Sequence, residues 1–142
     1  MKISYLKLDS ELPTPRHAHE GDGGVDLYTR KDFRLEPGER ALIPTGVAIA
    51  VPAGFAGLVV PRSGLANRHG VGVVNSPGLI DAGYRGEVKV ILINHGDEAV
   101  DVSRGERIAQ LVVVPVAVQD WVEVDELPDS IRSDGGFGST GR

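Results

Sequence analysis

Glycine and proline punctuate this chain so evenly that helix can only be its minority state. Nineteen glycines and nine prolines are spread over 142 residues, and few windows keep apolar side chains at a 3.6-residue period for three turns. The chain therefore reads as all-β. Strand candidates are residues 2–8, 25–28, 40–50, 55–60, 71–75, 87–94 and 107–118, each bounded by Gly, Pro, Asp or Asn, and residues 63–69 form one short helical candidate. In 87–94, Val88, Val90 and Leu92 share one face and Lys89, Ile91 and Ile93 the other, so both faces must be mostly covered. Many such strands at short spacing suggest a barrel or jelly roll, and a strand apolar on both sides also suits a subunit interface.

The length allows one domain with a real core, and neither an internal repeat nor a central linker divides it. Composition changes only after Pro128, so residues 1–128 read as a β-barrel domain and residues 129–142, DSIRSDGGFGSTGR, as a separate tail. The absence of cysteine excludes disulfides, thiolate chemistry and Cys-ligated zinc, and fits a reducing compartment. The opening MKISYLKLDS lacks an apolar leader core. The longest greasy tract, 108–118, is broken by Gln110 and Pro115 and falls short of the roughly 18 residues of a membrane helix. The expectation is a soluble cytoplasmic protein without a membrane partner. A formal charge of −5 argues against nucleic acid, whose binding needs a basic surface. A small anion remains possible, because Arg62, Arg68, Arg85, Arg104, Arg107 and Arg132 lie in or beside turn-rich segments.

Three segments carry chemistry. In NSPGLIDAGYRGE, from Asn75 to Glu87, an amide, a carboxylate and a phenol stand in a turn-rich loop facing a strand, with Leu79 and Ile80 between the turn residues as in a short hairpin with one buried face. A turn-associated Asp also commonly bonds only its own backbone. The run Pro61-Arg62-Ser63-Gly64-Leu65-Ala66 ends a β stretch and opens the helical candidate, which makes either an anion seat or a capped turn with Ser63 as N-cap.

The third segment, Gly136-Phe137-Gly138-Ser139-Thr140-Gly141, matches G-x-G-x-x-G literally but cannot be a dinucleotide fingerprint: one residue remains after Gly141, too few for the required helix. Its composition suits a disordered tail. It also suits a mobile nucleotide lid, with Arg132 as a phosphate fork, glycine N–H groups and the Ser139 and Thr140 hydroxyls as donors, and Phe137 as a stacking face. A metal pair, His17-x-His19, has no third ligand near it in sequence.

Set in order along most of the chain, five short motifs resemble those of the trimeric dUTP pyrophosphatases, the dUTPases. They are Gly24-Val25-Asp26-Leu27, Pro61 to Ala66, GLIDAGYRGE from Gly78 to Glu87, GERIAQL from Gly105 to Leu111, and the glycine-rich tail. Ser133 stands where that family often has Gly, and Val25 where an aromatic or other apolar residue is common; neither removes a functional group.

The resemblance implies a distorted jelly-roll homotrimer with active sites shared between subunits. It implies hydrolysis of dUTP to dUMP and pyrophosphate by water attacking the α-phosphorus, which would keep uracil out of DNA and supply dUMP for dTMP synthesis. Asp81 would be catalytic, orienting and deprotonating the water and touching the 3′-OH. A free aspartate titrates near about 3.9, so such a base is ionised but feeble at pH 7, and positioning and charge stabilisation must do most of the work. Tyr84 would stack under the deoxyribose and leave no room for a 2′-hydroxyl. Asn75 and the backbone of Leu79 and Ile80 would read uracil. An amide can flip to suit cytosine, so fixed backbone groups must discriminate.

The same resemblance assigns Arg62, Ser63, Gly64 and Gln110 to the inner phosphates, and Arg132, Gly138, Ser139 and Thr140 to the outer ones. Phe137 would close over uracil, and Lys89 is a further substrate-binding position. Mg²⁺ would be held by the triphosphate and waters with no direct protein ligand, Asp26 acting through a water or as a structural anchor.

Two rivals stand beside this reading. dCTP deaminases share the superfamily fold, but Ile91 occupies the position of their catalytic Glu, and isoleucine cannot shuttle protons. A non-catalytic nucleotide sensor is the other, and Asp81 argues against it.

Overall fold

A computed structural model describes residues 1–130 and carries ten strands and one helix. One sheet has the order β1–β4–β8–β6, built from Ser4–Lys7, Arg40–Ala50, Glu87–Asn94 and Val71–Val73. A second has the order β2–β10–β5–β7, from Val25–Tyr28, Arg107–Pro115, Phe55–Pro61 and Gly78–Ile80. A two-stranded ribbon pairs β3, Phe33–Leu35, with β9, Val100–Val102. Every pairing is antiparallel. Sheets of this kind with non-consecutive neighbours make the all-β jelly-roll architecture expected from the glycine and proline pattern.

The core lies between the two larger sheets. Leu27, Ile43, Val88, Val90, Leu92 and Ile108 are essentially inaccessible, and Leu35 joins them from the ribbon. Burial alternates strictly along β8. Val88, Val90, Leu92 and Asn94 point inward, whereas Lys89 is exposed and Ile91 and Ile93 are half-covered, so within one chain only one face is fully enclosed. Asn94 can occupy the core because its polar atoms are engaged: Nδ2 donates to the Leu35 and Glu98 carbonyls, and Oδ1 accepts from Gly96 N–H.

The strands read at 25–28, 40–50 and 87–94 and the helix α1, Ser63–His69, have the expected bounds. β10 stops at Pro115 rather than at 118: Val116 N–H still donates to the Gly54 carbonyl at 2.9 Å, but there the partner segment turns away, with Gly54 at φ +79° and Phe55 N–H closing on the Pro52 carbonyl. The run after Asn75 does not close on itself as a hairpin; Gly78–Ile80 instead pairs with β5, Leu79 opposite Leu58. The strands β3, β7 and β9 were not visible as alternating patterns, since three residues are too few to establish a period.

Two irregularities aim side chains. Between Pro44↔Lys89 and Ala48↔Glu87, β4 runs two residues longer than β8. Gly46 takes φ +71° in this bulge, where its N–H donates to Glu87 Oε1 at 2.8 Å and the buried Thr45 hydroxyl donates to the Val88 carbonyl at 2.6 Å. A second register shift lies between Arg107 and Ala109 on β10, against β2.

Candidate active site

Those expected site residues that lie among the described residues fall into two clusters within one chain. The first surrounds β7. A cavity of about 330 Å³ is lined by Leu42, Leu79, Ile80, Asp81, Tyr84, Glu87, Val88 and Lys89. A small recess of about 60 Å³ adjoins it through Leu79, Ile80 and Lys89, with Asn75, Gly78 and Ile91 in its walls. Asn75, Leu79, Ile80, Asp81, Tyr84 and Lys89 are thus brought together. β7 is an edge strand, so beyond its pairing with β5 it presents a second row of backbone N–H and C=O groups with no partner strand among the described residues. Such a row can read a flat polar ring by donor and acceptor pattern.

One turn fixes the carboxylate and the phenol of this cluster. Tyr84 N–H donates to the Asp81 carbonyl at 3.0 Å, and the Arg85 guanidinium braces the same turn by donating to the Ala82 and Tyr84 carbonyls at 2.6 and 2.7 Å. The Tyr84 hydroxyl donates to the Glu87 carbonyl at 3.0 Å, while the residue as a whole stays 45% exposed in the cavity lining. Asp81 is exposed beside it. The carboxylate is therefore open to solvent where it lines the cavity.

The second cluster lies toward the other end of β5, where that strand runs beside β10 and β2. Arg62 is the N-cap residue of α1, with no side-chain cap, and Ser63 is the first helical residue rather than the cap. Arg62 Nε donates to Asp26 Oδ1 at 3.1 Å, and Arg107 donates to Oδ2 at 3.3 Å. Gln110 is the register partner of both Asp26 and Val60, so Gln110, Arg62 and the α1 start share one corner. Two guanidiniums against one carboxylate leave a surplus of positive charge, and with the Ser63 hydroxyl they suit a phosphate chain. A cavity of about 440 Å³ opens beside them, lined by Arg16, His17, Ala18, Asp26, Tyr28 and Arg107. His17 Nδ1 sits 3.1 Å from the Gly24 carbonyl.

The clusters do not meet within a chain. Ile80 pairs with Gly57, so Asp81 leaves β7 near the start of β5, whereas Arg62 follows the end of β5. That is about six residues of strand, roughly 20 Å at about 3.4 Å per residue. Arg132, Phe137, Gly138, Ser139 and Thr140 lie outside the described residues. Arg104 and Arg68, grouped by sequence with anion binders, are engaged internally, Arg104 on Asp9 and Glu11 and Arg68 on the Gly64 carbonyl. The bond from Arg107 to Asp26 was not anticipated; it depends on the β10–β2 register shift, which no local pattern reports.

Comparison with known proteins follows the same lines. The dUTPase family model matches residues 10–141. The deoxyuridine 5′-triphosphate nucleotidohydrolase of Thermobifida fusca (strain YX) is 56% identical over 142 residues, covering 99% of this chain and 79% of that protein. The enzyme of the same name from Mycolicibacterium gilvum (strain PYR-GCK) is 54% identical over 98% of this chain and 94% of its own. Among solved structures, the Staphylococcus bacteriophage 80alpha dUTPase with dUPNHPP superposes with a TM-score of 0.91 at 30% identity, covering 99% of each chain. A mutant dUTPase from phage phi11 of S. aureus, described as revealing the coordination of a structural Mg(II) ion, superposes with a TM-score of 0.81 at 26% identity over 89% of this chain and 98% of that one.

Proposed function

The chain belongs to the dUTPase family and hydrolyses dUTP to dUMP and pyrophosphate; from that premise we propose how its two clusters perform the reaction. Asp81 orients the attacking water at the α-phosphorus and accepts its proton, while Tyr84 stacks under the deoxyribose and excludes a 2′-hydroxyl. The free edge of β7 reads uracil: its N–H groups meet O4 and its C=O groups meet N3–H, a pattern that cytosine reverses. Thymine is excluded by the closeness of that backbone to C5; a lone methyl is typically worth about 1–3 kcal/mol, and rejection by clash can exceed it. Asn75 contacts the base, and its amide packs against Gly78, where an added Cβ would sit 3.2 Å from Asn75 Nδ2. Lys89 reaches the substrate from β8.

Arg62, Ser63, Gly64 and Gln110 hold the inner phosphates. From the tail, Arg132, Gly138, Ser139 and Thr140 hold the outer ones, and Phe137 covers the base. In-line attack places the entering water and the departing pyrophosphate on opposite sides of the α-phosphorus, so the aspartate and the guanidiniums belong at opposite ends of the substrate. The observation that carries this reading is the separation of Asp81 from Arg62 along β5, which suits sites completed by a second subunit.

The same reasoning supports association of subunits, and the number three is what the dUTPase resemblance implies. Tyr5, Leu6 and Leu42 are each about half exposed or more, and the segment beyond β10 leaves Val118, Trp121, Val122 and Leu127 largely uncovered, more apolar surface than a lone subunit favours. Light scattering should give three times the chain mass; a monomer at working concentration would remove the shared-site geometry.

Mg²⁺ fits the donors present. Asp26 is a hard oxygen donor at the phosphate corner, but both its oxygens already accept from arginines, so it suits contact through a water rather than a direct bond. When bound, the ion would supply charge neutralisation along the triphosphate.

dCTP deamination is disfavoured by Ile91, a wall of the recess beside Asn75 that carries no proton-transferring group. The deciding experiment is a panel of dUTP, dCTP, dTTP and UTP with pyrophosphate and ammonia measured in parallel. Pyrophosphate from dUTP alone is expected; ammonia from dCTP would overturn the assignment. Deleting residues from 132 onward separately tests the tail, with a folded protein and severely reduced hydrolysis expected.

A further inference from the structure

We propose that Gly86 is a positioning residue for the Tyr84 ring, and that its missing side chain sets how strongly the enzyme prefers a deoxyribose over a ribose. The inference deepens the role proposed above for Tyr84 and rests on it. A Cβ built at Gly86 would overlap the Tyr84 hydroxyl oxygen and lie 2.6 Å from its Cζ and 3.1 Å from its Cε2. The ring therefore lies directly over the Gly86 backbone. Its orientation there is completed by the hydrogen bond from its hydroxyl to the Glu87 carbonyl at 3.0 Å.

Backbone conformation does not explain this glycine. Gly86 lies outside the left-handed region that would require it, unlike Gly46 or Gly70. The three nearest atoms to the added carbon all belong to Tyr84, so an alanine here would press on the phenol before anything else. Because Tyr84 is 45% exposed, its ring has room to yield by turning toward solvent instead of unfolding the loop. Stacking is a matter of tenths of an ångström, and a displaced ring would reopen the space at C2′. Gly83 offers the internal contrast: it stands in the same turn, also without a positive φ, yet an added Cβ there meets nothing within 4 Å.

The test measures kcat/KM for dUTP and UTP in Gly86→Ala, Gly83→Ala, Tyr84→Ala and the double variant Tyr84→Ala/Gly86→Ala, with thermal melting of each. Gly86→Ala should lower the dUTP/UTP preference at least about tenfold, a size ordinary for a lost steric discrimination. Gly83→Ala should leave it unchanged. With the ring already removed, adding Gly86→Ala should change neither the preference nor the melting temperature further, a non-additivity that a merely structural glycine would not give. An unaltered preference in Gly86→Ala, an equal loss in Gly83→Ala, or further loss in the double variant overturns the inference. If Gly86→Ala fails to fold, the double variant decides: recovery supports contact with the ring, and equal failure refutes it. An unchanged preference in Tyr84→Ala would instead refute the role of Tyr84 itself, and this inference with it.

Discussion

Arg62 donates to Asp26 at 3.1 Å from the opposite side of β10, tying the first turn of α1 to β2 across an intervening strand. The pair is mostly enclosed, with Asp26 11% and Arg62 23% exposed, and Arg107 closes the other carboxylate oxygen. A residue that fixes two guanidiniums at once governs where both point.

Asp26→Asn should therefore fold, lose about 1–3 kcal/mol in urea unfolding for a partly buried pair left short of its charge, and raise KM for dUTP more than it lowers kcat. An unchanged KM would show that Arg62 does not need its anchor to meet phosphate.

Asp81→Asn keeps the shape of the turn and removes the base. Turnover should fall by about 10²–10⁴ while a non-hydrolysable dUTP analogue binds nearly as before. Calorimetry of the analogue beside steady-state assay checks both halves. Turnover at the parent level would remove Asp81 from the chemistry.

Acid should loosen the β1 end of the molecule. Asp9 accepts from Arg104 at 2.9 Å, and this bond, with the Glu11 N–H and the charges of Arg104 and Arg30, holds its pKa below the ordinary carboxylate value. A folded-state pKa below the unfolded one contributes stability that is present above the unfolded value, about 3.9, and is lost as pH falls through the folded value. Asp9→Asn should be less stable than the parent at pH 7, and the difference should shrink below about pH 4. Melting curves from pH 7 to pH 3 decide; a difference that grows in acid would contradict the sign.

Gly46→Ala and Gly38→Ala separate strain from crowding. Both glycines have positive φ, but a Cβ on Gly46 would stand 2.9 Å from Asp9 Cβ and from Leu12 Cδ1, whereas one on Gly38 meets nothing within 4 Å. Gly38→Ala should cost about 1 kcal/mol, and Gly46→Ala about 2–4 kcal/mol, because backbone strain and overpacking add. Equal losses would mean that the bulge relaxes freely.

Much of the fold was legible because its longer strands alternate or run apolar between turn residues: β4 and β8 have the bounds that their sequence suggests. The three-residue strands were hidden, since β3 and β9 are strands only because they find each other across 67 residues, as the bond from Arg34 to Asp101 illustrates. At the site, Asp81, Tyr84, Asn75 and Lys89 were readable as residue types in a turn-rich loop and on a polar break in an apolar strand, and the structure gathers them about one cavity system. Arg107 is legible only as one of several arginines beside turns; its bond to Asp26, 81 residues distant, exists only through strand register. The crowding at Gly86 was equally invisible: sequence records that a side chain is absent, not which neighbour fills the room.

The turn from Asp81 to Tyr84 closes through a single backbone hydrogen bond of 3.0 Å. With the carboxylate and the ring given the roles proposed above, one short loop serves both the chemistry and the choice of sugar: a change that breaks this closure would disturb the two together, whereas crowding at Gly86 reaches the ring alone.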